Sequence, residues 1–312
     1  MSPESPVVLV VGAASRDVVE DDPRGWRLGG AVTYGSLALA RLGLEVWALI
    51  GADREAREAA ELELLRGAGV RIAFADLESG PVFDNVRHLL LSTSDRIPLT
   101  ALPRRWTSGF DALLVVPVAD EVGPEWVGMT VGEPAPLVGL GWQGLLRVLE
   151  RDQLITPRAP IASPLLRAAD LVVVSEADVS DGVAPLAMHA FLRHDALLLW
   201  TEGASGGQRI ARDETDAVVG RRYPAIPSDR IVDPTGAGDV FLASVLAARL
   251  RPSLGDPLTV AAAAASLTVE GPGLTGVPDL AAVRLRMTRP PSLAKRLPSD
   301  VSSRDSGRPS QA

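Results

Sequence analysis

The chain has 312 residues and a formal net charge of −8, and 46% of it is hydrophobic, enough to bury one large α/β core without a second full domain. The acidic balance, with no basic run before the tail, speaks against nucleic-acid binding. The absence of cysteine removes disulfides, thiolate metal sites and cysteine nucleophiles, three scattered histidines make no zinc site, and Lys295 as the single lysine leaves no P-loop lysine.

The elements follow in chain order. Val7 to Val11 reads as a strand, followed by Gly12-Ala13-Ala14-Ser15-Arg16-Asp17, a turn whose carboxylate can accept two hydroxyl hydrogen bonds. Gly29-Gly30 opens a helix through Tyr34 to Leu42 that Gly43 stops, and Val46 to Ile50 is a strand. Arg54 to Arg66 carries apolar residues on one helical face. Val70 to Ala75, Ala112 to Val118, Leu171 to Val174 and Leu197 to Thr201 read as strands, and Pro185 to Arg193 and Asp239 to Leu250 as helices. Val260 to Val269 is Ala-rich on all sides, as a buried helix would be. Alternating strand and helix predicts a parallel sheet covered on both faces, a three-layer α/β/α sandwich. Ligands of such folds collect beyond the carboxyl ends of the strands.

Two segments, about 17–30 and 80–99, break the alternation with short alternating patterns. From residue 289 on the chain is rich in Pro, Ser and Arg, so 1–288 is expected to form the domain and 289–312 a disordered tail. The N-terminus lacks a basic segment followed by a long apolar run, and no apolar stretch is long enough to span a bilayer. The expectation is a cytoplasmic protein with no membrane partner.

The chemistry concentrates in Asp233-Pro234-Thr235-Gly236-Ala237-Gly238-Asp239. This Gly-rich turn opens the apolar helix that starts at Val240, so bare backbone N–H groups sit at a helix N-terminus, where the dipole favours an anion. An anion cradle beside a carboxylate base suits phosphoryl transfer to a hydroxyl. A plain turn with Asp239 as its cap also fits a bare Gly-x-Gly-Asp. The longer string resembles the C-terminal signature of the ribokinase-like (PfkB) carbohydrate kinases, and the Gly29-Gly30 segment, some 200 residues earlier, resembles their N-terminal signature.

The resemblance implies a ribokinase-like sandwich with a small β lid supplied by the two irregular segments. It implies an ATP- and Mg²⁺-dependent kinase acting on a small sugar, cyclitol or related polyol, and it is compatible with a homodimer. Gly236, Ala237 and Gly238 would form the anion hole and Asp239 would be the catalytic base. Asp17, Gly29, Gly30, Tyr34 and Asn85 would meet the substrate, and Ser175, Thr201, Gly203, Gly206 and Thr235 the nucleotide. Asp233 would match positions that bind a monovalent cation such as K⁺ in several relatives.

Two departures stand out. The family's Asn-x-x-Glu step is Ser175-Glu176-Ala177-Asp178 here, so Glu176 and Asp178 would organise Mg²⁺, partly through water. Tyr34 stands where most of these kinases carry Asn, and its ring is expected to face the substrate. The stretches 115–122 and 141–147, with the Ser-Glu-x-Asp step, resemble a branch that includes myo-inositol kinases. A nucleoside kinase and a non-catalytic sugar- or nucleotide-binding descendant stay open. A nucleotide-binding oxidoreductase is disfavoured because no Gly-x-Gly-x-x-Gly follows the first strand.

Overall fold

Runs of β-branched and aliphatic residues form the centre of the molecule. The computed structural model describes residues 5–131 and 134–289, so the expected tail beyond Arg289 lies outside the described residues. A nine-stranded sheet runs in the spatial order Val218–Tyr223, Gly207–Arg212, Leu197–Thr201, Leu171–Ser175, Leu137–Gly141, Ala112–Val115, Val7–Ala13, Glu45–Ala52, Arg71–Asp76. From Leu197–Thr201 to Arg71–Asp76 neighbouring strands are parallel, and the first two form an antiparallel hairpin on the edge. The interior strands are buried on both faces, which is why they read as continuous apolar runs and not as an alternation.

Helix Ala237–Leu250 packs against both Ala31–Arg41 and Pro257–Thr268, and the first two of these also lie on the sheet, as Ala31–Arg41 meets Val7–Ala13 and Glu45–Ala52. Ala261, Ala263 and Ala264 are buried, so the Ala-rich helix lies inside, as its composition predicts. Short helical turns replace long helices elsewhere. Pro124–Thr130 packs on Pro164–Ala168, which also meets strand Leu137–Gly141.

Three expectations change in detail. The helix read over 54–66 is two short pieces, Arg54–Arg57 and Leu62–Gly67. Its buried residues Ala56, Ala59, Leu62 and Leu65 recur every three positions, and the backbone between them closes tighter i to i+3 bonds, such as Ala59 N–H to Ala56 and Leu62 N–H to Ala59. The strand read over 112–118 ends at Val115, ahead of Pro117, which has no N–H to continue the ladder. The region 185–193 holds only Pro185–Met188 and a tighter turn over His189–Phe191.

The lid is larger than the two irregular segments suggested. A second, five-stranded sheet runs Gln153–Leu154, Leu89–Ser92, Val82–Asp84, Ser15–Val18, Trp26–Gly29. Ser15–Val18 leaves the end of the first core strand after a single residue, so the lid is anchored at the carboxyl end of the main sheet. Glu121, fully buried, reinforces that junction by accepting the N–H groups of Ala13 at 2.8 Å, Val118 at 3.1 Å and Ala119 at 2.7 Å.

Candidate active site

The signature turn is built by its own side chains. Asp233 Oδ1 accepts the Thr235 N–H at 2.9 Å and Oδ2 the Gly273 N–H at 3.0 Å, which ties the turn to the neighbouring loop. Gly236 then adopts a left-handed φ of 78°, and a Cβ on it would lie 2.2 Å from the Tyr34 ring. Only glycine satisfies both conditions. The 14-residue helix Ala237–Leu250 starts at once. The Ala237 N–H bonds the Pro234 carbonyl at 3.3 Å and the Val240 N–H that of Gly236 at 2.9 Å. The N–H groups of Gly236, Gly238 and Asp239 find no acceptor among the described residues. Around Gly238 the space is open, with nothing within 4 Å of where a Cβ would stand. The free donors therefore belong to Gly236, Gly238 and Asp239, whereas the sequence reading named Gly236, Ala237 and Gly238. The Ala237 donor is consumed in closing the turn.

Three carboxylates from separate elements converge in front of this turn. Asp239, half-buried in the first turn of the helix, is pushed up to about 7 by burial and then by the charge of Asp178, with Asp17 adding and Arg147 opposing. Asp17, buried in the lid strand, is pushed up to about 6, chiefly by burial. The Ser15 hydroxyl, which donates to it at 2.8 Å, pulls the other way; Asp233 raises it and Arg147 lowers it. Asp178, also buried, accepts from Gln143 Nε2 and Arg147 Nη2, both at 3.1 Å on Oδ1. Neither Gln143 nor Arg147 was given a role from the sequence. Arg147 starts the two-residue strand Arg147–Val148, which pairs with Thr156–Pro157 just after core strand Leu137–Gly141.

The paired glycines make room for the acceptor carboxylate. A Cβ on Gly29 would lie 2.2 Å from Asp17 Oδ2, and one on Gly30, whose φ is 94°, would lie 2.4 Å from the Ala13 carbonyl oxygen. Tyr34 departs from the expectation of a ring open to substrate. It is 2% exposed and lies under Gly236 as the floor of the anion turn. Burial and the charges of Asp17, Asp233 and Asp239 hold its phenol above the usual range.

Ser175 and Thr201 stand side by side at the carboxyl ends of adjacent parallel strands. Ser175 accepts the Ala177 N–H at 3.3 Å as a cap, and Thr201 donates to the Val174 carbonyl at 3.4 Å. Gly203 and Gly206 have φ of 54° and 85°, and a Cβ on Gly206 would strike the Tyr223 carbonyl oxygen. Two expected residues stand apart. Asn85 is exposed at the tip of a lid hairpin, beside Asp84, which accepts the N–H groups of Val86 and Arg87. Glu176 is exposed, and its charge acts on Arg222 at the far edge of the sheet.

Among the described residues no group of three or more His, Asp or Glu is arranged to hold a metal ion alone. Asp178 keeps Oδ2 without a hydrogen-bond partner and stands close enough to Asp239 to perturb it. A divalent ion fits this pair only if most of its oxygen ligands come from phosphate and water.

Residues 154–280 match the model of the pfkB family of carbohydrate kinases. Acarbose 7(IV)-phosphotransferase of Actinoplanes sp. is 36% identical over 91 residues, 29% of this chain and 28% of the relative, so the matched part spans less than a third of that protein. A pyrophosphate-dependent kinase in the ribokinase family, solved with a pyrophosphate analogue and myo-inositol, superposes with a TM-score of 0.65 at 20% identity, covering 86% of this chain and 96% of its own. Arabidopsis thaliana ribokinase, solved with ribose and ATP, gives 0.62 at 17% identity, covering 92% and 100%. The fold is ribokinase-like. The pfkB carbohydrate kinase match covers residues 154–280, less than half of the chain, and includes the Gly-Ala-Gly-Asp turn.

Proposed function

We propose that this chain transfers the terminal phosphoryl group of ATP to a hydroxyl of a small sugar, cyclitol or related polyol. One observation carries the reading: a carboxylate held near neutrality, Asp239, adjoins three unpaired N–H donors at a helix N-terminus and faces a second carboxylate, Asp17, in the lid. A base poised near the working pH removes a hydroxyl proton most effectively.

The residues divide the work as follows. Asp17, oriented by Ser15, accepts hydrogen bonds from acceptor hydroxyls. Asp239 takes the proton from the hydroxyl that reacts. The acceptor oxygen bonds to the terminal phosphorus as the bond to the bridging oxygen breaks. The electron pair leaves with the nucleoside diphosphate. The Gly236, Gly238 and Asp239 N–H groups offset the charge on the phosphates. Ser175, Thr201, Gly203 and Gly206 line the donor side, with Thr235 in the turn. Asp178 would hold Mg²⁺, which would supply further charge neutralisation; Glu176 stands exposed and apart from Asp178. Asp233 accepts one backbone N–H on each oxygen, which shapes the turn, and each oxygen keeps a lone pair with which it could also meet a K⁺ ion.

The solved relative with a pyrophosphate analogue supports testing a second donor. The experiment is a screen of ATP and pyrophosphate against pentoses, hexoses, cyclitols, pseudo-oligosaccharides and nucleosides, read as phosphorylated product. Turnover of a polyol with either donor upholds phosphoryl transfer, and ATP preference upholds the donor. Binding of sugars with no product from any pair would leave a non-catalytic descendant.

A further inference from the structure

Arg147 has more hydrogen-bonding capacity than the protein uses. A guanidinium carries five N–H donors in a rigid fork. The Arg147 side chain is 22% exposed and makes one hydrogen bond among the described residues, from Nη2 to Asp178. Nε and Nη1 have no acceptor among the described residues, and neither is closed off from solvent. The charge of Arg147 reaches Asp17 on the lid strand and Asp239 on the helix, two groups that would flank the reacting hydroxyl.

The electrostatics call for such a group. A phosphate-bearing donor entering this cleft approaches Asp17, Asp178, Asp233 and Asp239, and each repels it. Three backbone dipoles offset only part of that charge. Arg147 is the cation among the described residues that acts on both Asp17 and Asp239, and its anchor on Asp178 fixes where the fork points.

Building on the kinase reading, we propose that Arg147 binds the phosphoryl group in transit, its free N–H donors meeting the non-bridging oxygens while the Asp178 contact holds the guanidinium in place. The bonds made and broken are those of the transfer described above. Arg147 contributes charge and orientation and exchanges no proton.

The test uses the full-length protein and the variants Arg147→Lys, Arg147→Gln and Arg147→Ala, each checked for an unchanged melting transition. Calorimetric titration with Mg²⁺ and pyrophosphate should show affinity weakened roughly tenfold or more in Arg147→Gln, as expected for a lost charge-assisted bond, and less in Arg147→Lys. Turnover with the best donor should fall about 10²–10³-fold in Arg147→Ala, and added guanidinium ion should restore part of it. Asp239 is faced by Asp178, Asp17 and Tyr34 as well as by Arg147. Loss of the one cation should therefore move the acid limb of kcat/KM to higher pH.

Unchanged pyrophosphate affinity in Arg147→Gln overturns the proposal whether or not a kinase substrate is found. A rate loss without guanidinium rescue, and with the acid limb in place, overturns it too, because Arg147 would then only prop Asp178. Absence of any turnover in the unaltered protein, with pyrophosphate binding still dependent on Arg147, would count against the kinase reading alone.

Discussion

Asp239→Asn should stabilise the protein at alkaline pH while disabling it. The carboxyl sits near 7 in the fold against an ordinary value of 3.8. The folded chain thus holds a proton that the unfolded chain has released. This contribution to stability is fully present below the ordinary value and is lost as pH rises through about 7. The difference corresponds to at most about 4 kcal/mol of cost for the ionised form at pH 8. The side chain opens to the cleft and its surroundings relax, so about 1–2 kcal/mol should be recovered by the isosteric amide, or about 2–6 °C in Tm for a domain of this size. At pH 4.5 the same linkage leaves about a quarter of that gain. The assay is thermal unfolding of both proteins at pH 8 and pH 4.5, followed by circular dichroism. Equal melting at both pH values, or a less stable variant at pH 8, would refute the claim that Asp239 is held near neutrality.

Other outcomes follow from the same geometry. Gly236→Ala must fit a Cβ against the Tyr34 ring at φ 78°, so it should lower Tm and weaken donor binding more than acceptor binding, measurable by calorimetry with each ligand separately. Tyr34→Phe should keep the fold, whereas Tyr34→Ala should cost about 3–5 kcal/mol in denaturant unfolding because it removes the floor of the anion turn. A Tyr34→Ala protein of normal stability would restore the expectation of a ring exposed to substrate. Asp178→Ala should raise the Mg²⁺ concentration needed for half-maximal rate and leave acceptor binding largely intact; an unchanged Mg²⁺ titration would reduce Asp178 to an anchor for Arg147.

The core strands were legible because interior parallel strands are apolar along their whole length, as in Val7 to Val11 and Leu171 to Val174. Strand Leu137–Gly141 sits in the middle of the same sheet and was missed. Its sequence, Leu-Val-Gly-Leu-Gly, is short, and a Cβ on Gly139 would stand 3.1 Å from Leu114 of the neighbouring strand. That close packing is a tertiary demand, which the local pattern hides. The lid was under-read for a similar reason: Gln153–Leu154 is a two-residue exposed strand with no periodicity to detect. At the site, the Gly-Ala-Gly-Asp string announced the helix terminus, since turn and dipole are local properties. The choice of free N–H groups depends on one turn hydrogen bond, from Ala237 to Pro234, that composition does not encode. Arg147 was invisible as a site residue because its meaning lies in Asp178, 31 positions away.

The central claim is that Asp239 is the base of a phosphoryl transfer, and single-turnover kinetics with the best donor–acceptor pair test it most directly. The account predicts that Asp239→Asn binds donor and acceptor with near-native affinity and forms product about 10²–10⁴-fold more slowly, while the unaltered protein loses rate as pH falls below about 7. Product formation at close to the native rate by Asp239→Asn would contradict it.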